Sequence, residues 1–76
     1  MRSKARHLVA SAVASELRRS RRTVGWLSEQ SGIEVPLLAA KLREDEDFTI
    51  ADLANIAPAL DVPVSSLMPD DRVTAP

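Results

Sequence analysis

Apolar residues recur at helical spacing through most of this chain, and no stretch alternates apolar with polar long enough to make a strand. Leu8, Val9, Ala12, Val13 and Leu17 fall at intervals of three and four and form one stripe. They predict a first helix from about Lys4 to Ser20, with Ala10, Ala14 and Ser15 off the stripe. Glu16 and Arg19 lie on its solvent side, three residues apart, where they can pair weakly. Met1 to Ser3 reads as a loose arm.

The stretch from Thr23 to Arg43 predicts two short helices and a sharp turn. The first runs from about Thr23 to Gln30, with Thr23 as N-cap and Trp26 and Leu27 as its apolar residues. Gly32 sits in the turn Ser31-Gly32-Ile33, where a positive φ costs glycine little. The second runs from about Val35 to Arg43, with Pro36 tolerated in its first turn. Helix, glycine turn, helix is the layout of a helix-turn-helix unit.

The acids Glu44-Asp45-Glu46-Asp47 repel one another and predict a solvated loop, after which Phe48 returns the chain to the core. Thr49 and Asp52 have the spacing of a capping box. Ile50, Leu53, Ala54, Ile56, Ala57 and Leu60 keep the helical period to about Leu60, with a kink or an early end expected at Pro58. Val64 to Met68 makes a final turn or short helix, with Val64 and Leu67 inward. The expected fold is all-α, a compact bundle of about five short helices. Residues 1–68 would form the helix-turn-helix domain and residues 69–76 a disordered tail.

Seventy-six residues allow one small domain with a thin core, so stability would be marginal without dimerisation. Absence of Cys excludes disulfides and thiolate metal sites and fits a reducing compartment. No apolar run spans a bilayer, and the N-terminus is a poor signal peptide, so the cytoplasm is the default location. Charge changes the picture more. Residues 1–22 hold seven basic residues against Glu16, a balance of +6; residues 23–76 hold three basic against ten acidic, −7; together they give the net −1. The run Arg18-Arg19-Ser20-Arg21-Arg22 reads as a face made for an anion, the plainer reading being a solvated helix end.

At this point the chain resembles the lambda-repressor-like, Cro-type helix-turn-helix family of phage and bacterial regulators, over roughly residues 13–68. The resemblance is carried by Leu17, Thr23, Leu27, Gly32-Ile33 and Leu38. Further along it rests on Lys41-Leu42, Phe48-Thr49-Ile50, Asp52-Leu53, Ile56-Ala57, Ala59-Leu60 and Val62-Pro63-Val64-Ser65-Ser66-Leu67. It implies binding of double-stranded DNA as a dimer or paired units, with the second motif helix in the major groove. By position, Arg21, Arg22, Thr23 and Val24 would meet phosphates, the last two through backbone N–H groups. Glu34, Val35, Pro36, Ala39 and Ala40 would face bases, and Lys41 and Arg43 would flank them and reach phosphates. Arg2, Lys4, Arg18 and Arg19 would add electrostatic attraction from the arm and first helix.

The chain departs from that family at the base-facing positions, where polar donors are usual. None of the five residues here donates a side-chain hydrogen bond; the apolar four can press on thymine methyls and Glu34 can accept from cytosine. The acidic loop would oppose a DNA backbone. The competing reading keeps the fold but gives the same face to a protein partner through Trp26, Val35 and Leu37. Trp26 itself reads either as a wedge against the first helix or as an anchor for a second subunit. The only His, His7, reads as a surface residue. No nucleophile–base pair, glycine-rich phosphate loop or calcium-loop spacing is present, so neither an enzyme nor a cofactor or metal site is expected.

Overall fold

The computed structural model describes residues 4–68. The expected arm at Met1–Ser3, including Arg2, and the expected tail at 69–76 lie outside them. The described chain is all-helical: α1 (Lys4–Ser20), α2 (Val24–Ser31), α3 (Val35–Leu42), α4 (Ile50–Leu60) and a single 3-10 turn at Val64–Ser66. It thus has four α-helices rather than about five, because the last element is a single 3-10 turn capped at Leu67, whose N–H bonds to the Val64 carbonyl.

The helix ends follow from local chemistry. The Thr23 hydroxyl accepts from the Trp26 N–H and starts α2. Gly32, at φ 78°, ends it in the left-handed region, and its N–H returns to the Ser28 carbonyl. Ser28 donates its hydroxyl to the Ile33 carbonyl, and the Ser31 hydroxyl accepts from the Ile33 N–H, so the turn is held from both sides. Thr49 and Asp52 form the full capping box at the start of α4. That helix runs two residues beyond Pro58 and ends at Leu60, with Asp61 left-handed at φ 60°. Pro58 and Ala54, whose carbonyl loses its helical donor, both lie on the exposed side.

Leu27, Leu38, Ile56, Leu67 and Val13 are the largest fully buried side chains and bring all four helices and the last turn to one centre. α2 packs on α3 and α4, and α1 packs across α3 and α4. Two stripe assignments change. Leu8 is 41% exposed while Ala10 is 2% exposed. The inward arc of α1 is centred on Val13; Ala10 lies about 60° from it and Leu8 about 140°. Ile50, expected inside, is 66% exposed. It stands on the rim of an open cleft of about 280 Å³ between the N-terminal turns of α1 and α4, with Val9, Phe48 and Met68 also lining it.

Candidate nucleic-acid interface

The corner between α1 and α2 gathers the densest positive charge. Arg18 and Arg19 close α1, Arg21 and Arg22 form the link, and all four are exposed. The Arg21 N–H bonds to the Arg18 carbonyl and the Arg22 N–H to the Leu17 carbonyl, so the link is folded back on the helix end. Arg21 sits at φ 60°. Arg19 pairs with Glu16 on its own helix. Arg22 lies 4.5 Å from the centre of the Trp26 ring, a cation–π contact. Among the described residues, Arg18 and Arg21 have no acidic partner. Trp26 is half-buried against the core, with this guanidinium over its outer surface.

Thr23 and Val24 follow immediately. The N–H groups of Val24 and Gly25 open α2 without helical acceptors and stand beside Arg21 and Arg22. Gly25 is exposed, and its surroundings are open apart from the Thr23 hydroxyl 3.9 Å from where a Cβ would stand. The corner can therefore hold an anion by charge and by backbone donors together.

Apart from Lys4, the remaining predicted site residues within the described chain lie on α3 or at its two caps, across the Gly32 turn from α2. Glu34 is its exposed N-cap and makes no side-chain capping bond. Val35, Pro36 and Leu37 are exposed, and Ala39 and Ala40 are half-buried. Arg43 is exposed and donates to Asp45 at 3.2 Å. Lys4 is exposed but stands at the opposite end of α1 from the arginine corner, about 21 Å along the axis, and so does not join it.

Lys41 corrects the expectation of a phosphate contact. It is 6% exposed, donates to the Asp52 carboxylate and lies 5.9 Å from the centre of the Phe48 ring. Its position three residues after Leu38 puts it on the inward face of α3, and Asp52 supplies the counter-charge there. Burial pushes the Asp52 carboxyl up. Hydrogen bonds from Lys41 and the Thr49 backbone N–H, with the Lys41 charge, outweigh this and hold it below the ordinary carboxylate range.

The acidic loop is less free than a solvated run would be. Arg6 donates to the Asp47 carboxylate and to the Glu44 carbonyl, and His7 Nδ1 lies 2.9 Å from Glu44. The Arg6 hydrogen bond holds the Asp47 carboxyl below its usual range, against a smaller opposing effect of burial. Three of the four acids therefore have a cationic or imidazole partner. His7 remains a surface side chain, 59% exposed. Sequence reasoning passed over Arg6 and His7 as clasps, because their partners lie about forty positions away and no local spacing signals them.

Among the described residues, no three His, Asp or Glu side chains are grouped to hold a metal, and no helix is long and apolar enough to cross a membrane. Compared with known protein families, curated proteins and solved structures, the chain matches none.

Proposed function

We propose that this chain binds double-stranded DNA as a small transcriptional regulator of the repressor or Cro type. In this reading α2, the Gly32 turn and α3 act as a helix-turn-helix unit, α3 enters the major groove, and the α1–α2 corner grips the phosphates beside it. A pair of such units would meet a two-fold operator, and the lack of Cys suits a cytoplasmic setting. The observation that carries the reading is the corner itself. Among the described residues, Arg18, Arg21 and Arg22 have no acidic partner, and they stand next to the N–H groups that begin α2.

The test is a gel-shift series with random-sequence duplex DNA at rising salt. Binding at low salt is expected to weaken steeply, and Arg21→Ala with Arg22→Ala should lower the log–log salt slope by about 2. If the protein leaves duplex DNA unshifted even at low salt, the reading fails.

One observation favours a protein partner instead. Val35 and Leu37, near one another on the first turn of α3, are 45% and 44% exposed, and neighbouring exposed apolar side chains mark interaction surfaces. A partner that protects these two residues, with no DNA shift at low salt, would establish that alternative.

A further inference from the structure

We infer that α3 reads duplex DNA through the C5-methyl groups of pyrimidines, and not through hydrogen bonds to base edges. This rests on the DNA-binding reading and narrows it to methyl-bearing major grooves. Val35, Pro36 and Leu37 are exposed on the first turn of α3, Ala40 is half-buried one turn further on, and Arg43 is exposed at the C-cap. Apart from Arg43, these residues present only carbon. Of the two cations of this segment, Lys41 is buried against Asp52, and Arg43 stands at the far end of the helix in an exposed pair with Asp45. Guanine and adenine are read by Arg, Lys, Asn or Gln, and no such donor stands on the exposed first turn of α3. The thymine methyl is the one major-groove feature that an Ala, Val or Pro surface matches. Small side chains at 36 and 40 also let the helix backbone approach the base edges closely.

Charge selects DNA as the occupant of this apolar face. The arginine corner stands at the start of α2, and α3 begins just past the end of that same short helix, across the Gly32 turn. Arg6 and Arg43 pair with two of the four acids in the loop beyond α3, which lowers the repulsion a DNA backbone would meet there. Glu34, exposed at the start of α3, adds a bias against the acceptor-rich guanine edge.

The experiment uses four short alternating duplexes at low salt: dA-dT, dA-dU, dG-dC, and dG with 5-methyl-dC. Each pair differs only in the C5-methyl group. Both methylated duplexes are expected to bind more tightly than their unmethylated partners, by about fourfold for each methyl covered. Val35→Ser, on the exposed first turn of α3, should pull both ratios toward one. Equal binding to all four overturns methyl reading and leaves DNA binding standing. A preference confined to the A·T pair supports methyl reading limited to thymine, in keeping with the Glu34 bias against guanine. If none of the four is bound, the DNA-binding reading falls and takes this inference with it.

Discussion

Lys41 and the backbone N–H of Thr49 donate to the same oxygen of Asp52, so one carboxylate both caps α4 and anchors the inward side of α3. The pair is nearly closed to solvent, at 7% and 17% side-chain exposure. It fixes the last turn of α3 against the first turn of α4, and so fixes the tilt at which the outward face of α3 is presented.

Lys41→Met keeps most of the volume and removes the charge. It should destabilise the fold by about 2–4 kcal/mol, because a largely buried carboxylate loses its cation. Urea melts measure this. The salt slope of DNA binding should stay at the wild-type value, since the amine faces inward; a slope reduced by one would make Lys41 a phosphate contact after all.

Acid should weaken the protein through Asp52 and Asp47. Both carboxyls lie below the ordinary range when folded, so the unfolded chain takes up protons first as pH falls. Their stabilisation is complete above about pH 5 and fades as pH drops through 4 and below. Asp52→Asn should be less stable at neutral pH and should flatten the acid limb of a stability-against-pH curve. An unchanged limb would show that Asp52 carries no linkage.

Gly32→Ala tests the turn between α2 and α3. A Cβ there meets nothing within 4 Å, so the whole cost is backbone conformation at φ 78°. The expected loss is about 1–2 kcal/mol, with Gly32→Asn losing less. A neutral Ala variant would mean that the turn relaxes to a negative φ.

The elements were legible because their boundaries are written locally. Thr23, Gly32, Thr49 and Asp52 each act within four residues of themselves, and the helices begin and end beside them. What depends on packing was less legible. Leu8 and Ala10 exchange places because the phase of α1 is set by the helices it meets, α3 and α4. Lys41 looked like a phosphate ligand because a lysine is solvated by default. The signal against that was present: it shares the face of Leu38, and a capping-box acid follows eleven residues later. The candidate site divides in the same way. The arginine corner is contiguous in sequence and could be read there. The clasping of the acidic loop by Arg6 and His7 joins distant residues and could not.

If the chain binds duplex DNA as proposed, Arg43→Ala is expected to weaken binding to every sequence alike. It removes a cation beside the groove and releases Asp45 to repel phosphate. A loss confined to one sequence would make Arg43 a base reader and would count against the donor-free face of α3.

Three helix ends in this protein turn through the left-handed region on charged residues, Arg21, Glu44 and Asp61, where glycine would be easiest. The protein consequently folds with less thermal margin than its own topology permits. Glycine at 21 or 44 should raise the melting temperature by several degrees, as about 1 kcal/mol does in a domain of this size, and Asp61 should gain least because aspartate tolerates that conformation. Under the proposed DNA-binding function only the change at 21 should cost affinity for duplex, so comparing the heat resistance of the 21 and 44 variants with their grip on DNA would separate a folding role of these turns from a role in recognition.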